Sequence, residues 1–201
     1  MEKSKNNTIR KMKSIIEKKD YDHVSTLSYS STVISSLEDV REMTVFESRP
    51  LNEGRKTAKI LNSKGVDVNY WIDAGMMKGI KGCDAVISGA DTISDEGFLN
   101  KLGSYPLVLA AKERDIPVHV VCDHSKILPN DLKMSEGESH ISTEVWGYKN
   151  GIKVYNEYFE CVPMKYVSFV TGKNQFEGEE IKTLIERKKV SGLLKNSYPL
   201  R

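Results

Sequence analysis

Six short β-prone apolar runs punctuate this sequence, at 24–29, 43–47, 66–72, 84–88, 118–122 and 166–170. Stretches with helical spacing stand between them, at 32–37, 56–64 and 107–114, closed by Gly65 or by Asp115-Ile116-Pro117. Parallel strands cannot be joined by a tight turn, so strand–helix alternation with short connections predicts parallel strands linked by helical crossovers. The predicted fold class is α/β, a parallel sheet flanked by helices, and 201 residues suffice for one domain with a full core. A basic amphipathic helix over 8–19 opens the chain, with Ile9, Met12, Ile15 and Ile16 on one face. After Ile127 the pattern lapses. Residues 129–152, with Glu136, Glu138, His140 and Glu144, read as a polar excursion, His140 as a surface residue, and 154–162 as irregular chain with aromatics against the sheet edge. A turn at 171–173, a charged helix over 177–189 and a tail over 191–201 that needs a partner or stays loose complete the chain.

In an open parallel sheet, ligands lie beyond the carboxyl ends of the strands. Five polar residues fall there: Ser28, Arg49, Asp73, Asp91 and Asp123. The richest stretch is 84–105, where the run Ala85-Val86-Ile87 breaks into Ser88-Gly89-Ala90-Asp91 and later Asn100-Lys101-Leu102-Gly103-Ser104-Tyr105 opens the next helix. Free N–H groups at a helix start beside a lysine suit a phosphate, and an aspartate nearby suits acid–base work on a sugar. The plainer alternative is that Asp91 and Lys101 cap a helix and form a surface ion pair. Arg49 is placed to clamp a phosphate or carboxylate through two parallel hydrogen bonds.

Thirty basic and 28 acidic residues nearly cancel, so no whole-molecule field favours nucleic acid or a membrane surface. No apolar run approaches a bilayer span, and the basic N-terminus lacks the apolar centre of a secretory signal. Cys83, Cys122 and Cys161 are too far apart for a zinc pattern, and an odd number argues against a disulfide framework. The expected setting is a reducing cytoplasm, with no metal and no cofactor.

Several loops resemble one family. Glu47-Ser48-Arg49-Pro50 with Glu53-Gly54-Arg55, then Gly89-Ala90-Asp91, then Asn100-Lys101-Leu102-Gly103-Ser104-Tyr105 are similar to motifs of the alpha, beta and delta regulatory subunits of translation initiation factor 2B. The same motifs occur in methylthioribose-1-phosphate isomerase and ribose-1,5-bisphosphate isomerase. Asn156 with Phe159, Val162-Pro163 and Thr171 agree, so the resemblance runs from about Val24 to Gly172. It implies a Rossmann-like domain over 23–176, preceded by a helix and lead-in (1–22) and followed by a helix and tail (177–201), without the family's N-terminal helical domain. It also implies a sugar-phosphate pocket in which Ser28, Arg49, Glu53, Asn100 and Lys101 bind the ligand and Asp91 faces the sugar. In the family's isomerases an aspartate in the Asp91 position works with a cysteine. Here Thr26-Leu27-Ser28-Tyr29 puts Ser28 in the cysteine slot. A thiol titrates near ~8.5 and needs little help to become a thiolate, whereas a serine hydroxyl needs an adjacent base.

Two functions follow from the resemblance. The first, favoured by Ser28, is a non-catalytic regulatory-subunit-like protein that binds a sugar phosphate or nucleotide phosphate and a protein partner, with translation initiation factor 2 as the candidate. The second is an aldose–ketose isomerase acting on methylthioribose-1-phosphate or ribose-1,5-bisphosphate. In either case the resemblance implies a homodimer or a heterodimer with a related chain, and the aromatic stretch 155–159 is the candidate contact.

Overall fold

The computed structural model describes residues 2–135, 137, 139–147 and 150–189. Glu136, Glu138 and the tail expected over 191–201 lie outside the described residues. In chain order the elements are α1 (Glu2–Lys19), β1 (His23–Leu27), α2 (Ser31–Ser36), β2 (Glu42–Phe46), α3 (Glu53–Ser63), β3 (Asp67–Trp71) and α4 (Met76–Gly79). Next come β4 (Ala85–Ser88), β5 (Thr92–Ser94), β6 (Gly97–Lys101), α5 (Ser104–Glu113) and β7 (Val118–Val121). The last are β8 (Phe159–Val162), β9 (Ser168–Thr171), β10 (Asn174–Glu177) and α6 (Lys182–Arg187).

The main sheet has the order β10-β9-β7-β4-β1-β2-β3. From β1 the chain steps outward through β2 and β3, and from β4 it steps the opposite way through β7 and β9, every one of these pairs parallel. The direction of winding therefore reverses between β1 and β4. Loops leaving those two strands part from each other and open a crevice.

Period-two alternation divides the strand side chains between two apolar layers. On one face Met43, Val45, Ala85 and Ile87 meet Met12, Ile15 and Ile16 of α1, Val33 of α2 and Leu61 of α3. On the other, Phe46, Val86, Val120 and Phe169 meet Met76, Leu107, Ala111 and Ile185 from α4, α5 and α6. Burial on both faces is why β4 and β7 read as short apolar runs rather than alternating ones, with His119 the polar residue inside β7.

The expected all-parallel sheet is corrected to a mixed one. Strand β10 runs antiparallel to β9, because Gly172, at φ 60°, turns the chain straight back on itself. A second, three-stranded antiparallel sheet, β5-β6-β8, lies beside the first. It claims Asn100 and Lys101, which stand on a strand rather than at a helix start, and it orders the end of the stretch read as irregular. Strands of three to five residues joined by the acidic turn Asp95-Glu96 carry almost no period-two signal, so they read as loop. The charged helix expected over 177–189 is a short turn at Gly178–Ile181 followed by α6.

Candidate functional site

A cleft of about 290 Å³ opens at the reversal point. Its walls are the β1–α2 loop with the first turn of α2 (28–32), the loop after β4 (89–91), Asn100, and Asp123 with Lys126 after β7, and Lys5 reaches in from α1. The two central loops approach closely because Gly89 has no side chain: a Cβ there would stand 3.2 Å from Cβ and Oγ of Ser30.

Ser28 occupies the first turn beyond β1 in the left-handed region, at φ 65°. Such a conformation costs a non-glycine residue about 1–3 kcal/mol and persists where the surroundings over-determine it. Here they do. The Ser28 N–H donates to Ser48 Oγ at 2.7 Å, and its carbonyl accepts from Thr57 Oγ1 at 2.6 Å. Ser48 is itself fixed, since its N–H donates to Asp73 Oδ1 and its hydroxyl to the Phe46 carbonyl. The strand-end aspartate Asp73 is thus consumed in holding the β2 loop, which in turn fixes Ser28.

Two carboxyls line the cleft, and their surroundings push them in opposite directions. Burial raises the Asp91 carboxyl above the ordinary carboxylate range, against the pull of Lys126 and Lys101 and with help from Glu53. Lys126 Nζ lies 3.9 Å from Asp91 Oδ1. At Asp123 burial also pushes upward, but hydrogen bonds from Ser125 and the charges of Lys126 and His124 outweigh it and hold the group below its usual range. Two neighbouring carboxyls whose surroundings push their proton affinities apart are a common arrangement for paired acid and base work.

Of the residues expected to bind ligand, the cleft brings together Ser28, Asp91 and Asn100. Asn100 is buried, its Nδ2 donating to Ser88 Oγ at 3.0 Å and to Ser104 Oγ at 2.8 Å, so it ties β4 to the start of α5. Lys101 and Glu53 do not join them as free ligand groups. Lys101, 2% exposed, is bound to Glu53 Oε1 at 3.0 Å, and its ammonium lies 4.7 Å from the Tyr158 ring. The ion pair Asp91–Lys101 is therefore replaced by two others, Lys101–Glu53 and Lys126–Asp91. Arg49 turns outward and donates to the Val145 carbonyl at 3.2 Å. The helix start expected to hold a phosphate is occupied by protein: Glu160 Oε1 accepts from the N–H groups of Gly103 and Tyr105, at 2.6 and 3.0 Å.

Tyr158 borders this buried pair. Tyr158 donates its hydroxyl to Glu144 Oε2, which pushes the phenol up to about 12, and Asn156 Nδ2 donates to the same oxygen. His140, exposed as expected, stacks on the Tyr158 ring with centroids 3.5 Å apart. Cys122 lies near the cleft, but burial pushes its thiol up to about 12, so it offers no thiolate in place of the one Ser28 lacks. Lys5 and Lys126 escaped sequence reasoning. Lys126 follows the end of β7 by a few residues and was findable by the strand-end rule. Lys5 was not, because a sequence does not give the register of a helix against a sheet.

The fold and cleft together define an open, doubly wound α/β protein with a polar, cation-bearing crevice at its switch point. The sequence matches the model of the Initiation factor 2 subunit family over residues 1–173, and the chain belongs to that family. It is 32% identical to ribose 1,5-bisphosphate isomerase of Methanocaldococcus jannaschii over 156 residues, 74% of this chain and 51% of that protein. Its fold is similar to translation initiation factor eIF-2B of Pyrococcus horikoshii OT3, with TM-score 0.73 and 28% identity, covering 88% of this chain and 65% of that one. It is also similar in fold to 5-methylthioribose 1-phosphate isomerase of the same organism, with TM-score 0.77 and 21% identity, covering 90% and 58%. The chain spans about half the length of the curated relatives it matches. Ribose 1,5-bisphosphate isomerase is the name carried by relatives from five further matches, against two named as eIF-2B subunit 2-like. This preponderance of isomerases corrects the expectation, drawn from Ser28, that the protein is not an enzyme.

Proposed function

We propose that the chain is an aldose–ketose isomerase of a 1-phosphorylated ribose, with Asp91 as its acid. The observation that carries this is the pair of cleft carboxyls with opposed proton affinities, Asp91 raised and Asp123 lowered, in a family rich in isomerases. A phosphate on the anomeric oxygen blocks spontaneous ring opening, so the ring oxygen must be protonated on the enzyme. Asp91 gives it a proton and the C1–O bond of the ring breaks, its electron pair staying on that oxygen. Asp123 takes the proton from C2, and the released pair forms a C1–C2 double bond that neutralises C1. Asp123 then returns the proton to C1 while the C2 hydroxyl gives its proton to Asp91, leaving a ketone at C2. Both carboxyls end as they began. Ser28 supplies a hydrogen bond at the position where the related enzymes use a thiol.

The same proposal includes assembly as a dimer of this domain, supported by exposed Ile72, Met77 and Leu109 near the β3 edge and by Tyr155. The decisive experiment is ³¹P NMR of the purified chain with ribose 1,5-bisphosphate and with methylthioribose 1-phosphate. Formation of the ketose phosphate from one of them, lost in Asp91→Asn and in Asp123→Asn, is the expected result. No turnover by the wild-type chain, or full turnover by Asp91→Asn, overturns the proposal.

A further inference from the structure

We propose that Lys5 is a specificity residue that grips a second anionic group at the far end of the substrate, so that the cleft takes a bis-phosphorylated pentose in preference to one with an apolar tail. This rests on the isomerase proposal and names the substrate class of the same site. Three observations carry it.

The first is charge. Lys101 is held by Glu53 and Lys126 lies 3.9 Å from Asp91, whereas Lys5 reaches into the cleft on a neutral partner, Ser31 Oγ at 2.9 Å. Among the described residues no carboxylate pairs with it.

The second is placement. In the main sheet β4 stands between β7 and β1, so the Asp91 loop is flanked by Lys126 on the β7 side and by Ser31 with Lys5 on the β1 side. In a furanose 1,5-bisphosphate the two phosphates likewise flank the ring oxygen, one through C1 and one through C4 and C5. A ring oxygen facing Asp91 therefore directs one phosphate to each lysine. The position of Lys5 is fixed by the fold, because Thr8, three residues along α1 and fully buried, accepts the Gly172 N–H at 2.8 Å and lies 3.4 Å from the Cys122 carbonyl.

The third is lining. The β1–α2 wall offers hydroxyls, and the aliphatic members of the cleft, Leu27 and Ala90, are buried. Its aromatic member, Tyr29, is 38% exposed but has the Lys56 ammonium 3.8 Å from its ring centroid, so an apolar tail meets a charge there rather than a dry surface.

The test is calorimetric titration of the 201-residue chain and its Lys5→Met and Lys5→Arg variants with ribose 1,5-bisphosphate and ribose 1-phosphate. All are made in an Asp91→Asn background so that turnover does not intrude. Removing one charge-assisted phosphate contact weakens binding about ten- to a hundredfold. Lys5→Met should show that loss for the bisphosphate, change ribose 1-phosphate by less than about twofold, and be rescued by Lys5→Arg. An unchanged bisphosphate affinity, equal weakening of both ligands, or no binding of either overturns the assignment. The two proposals fail separately. Turnover by the wild-type chain with Lys5 indifferent sinks only the Lys5 assignment, and selective Lys5-dependent binding in a chain that never isomerises either sugar sinks only the isomerase.

Discussion

Replacing Glu53 by Gln removes a charge and almost no volume, so its effect isolates the ion pair with Lys101. The lysine side chain is 3% exposed and its partner's 27%. Removing one member of a buried pair typically costs about 3–5 kcal/mol, because the other charge stays in the interior uncompensated. Two features favour the lower end: water reaches the glutamate side, and the Tyr158 ring 4.7 Å away steadies the ammonium. The expected loss is about 3 kcal/mol, which for a chain of this size lowers the melting temperature by roughly 6–12 °C. Lys101→Met is the counterpart. It removes the buried ammonium itself and leaves Glu53, whose side chain is 27% exposed although its Oε2 is buried without a partner, so it should cost clearly less than Glu53→Gln, and in the double variant it should recover most of the Glu53→Gln loss. Scanning calorimetry on the four proteins measures all of this. Equal losses in the two single variants, or less than about 1 kcal/mol for Glu53→Gln, would refute the claim that Lys101 depends on Glu53 for its burial.

His119 is 5% exposed, its ring held between Ser168 Oγ at 2.6 Å and the Tyr21 hydroxyl at 3.2 Å, and burial lowers its pKa to about 4. The unfolded chain takes up this proton near pH 6.5 and the folded one resists until about pH 4, so stability is complete above about 6.5 and falls by about 3 kcal/mol on the way down. Urea titrations from pH 7.5 to 4.5 should show that slope largely removed in His119→Gln; parallel slopes would contradict it. Ser28→Cys should raise turnover at least tenfold above the wild-type chain, since a thiolate becomes available where the backbone is already held, and an unchanged or lower rate in single-turnover assays would mean that the hydroxyl is not the limiting group.

The strand ends were legible because a doubly buried strand cannot hide: Ala85-Val86-Ile87 admits little else, and the polar residue after it must lie at the carboxyl edge. Ser28, Asp91 and Asp123 follow from that rule alone. The partners of Lys101, Arg49 and the α5 start were not legible. Glu160 reaches Gly103 across 57 residues and Glu53 reaches Lys101 across 48, and neither separation leaves a trace in local composition. A free cation and a neutralised one look alike in a sequence. The resemblance gave the right family but set too much weight on one substituted position, Ser28, against the isomerases that share the rest of the motifs.

The bond between Thr8 and Gly172 joins residues 164 positions apart. At roughly 5–20 residues per second, a ribosome takes about ten to thirty seconds to make the second after the first. Through that interval Met12, Ile15 and Ile16 have emerged while β9, against which α1 packs, does not yet exist. The nascent chain thus carries an apolar helix without its full seat, and Lys5 cannot take its place until the last parallel strand is in the sheet. Any message truncated before Gly172 yields a product without the staple for its first helix, a ready target for chaperones and proteases.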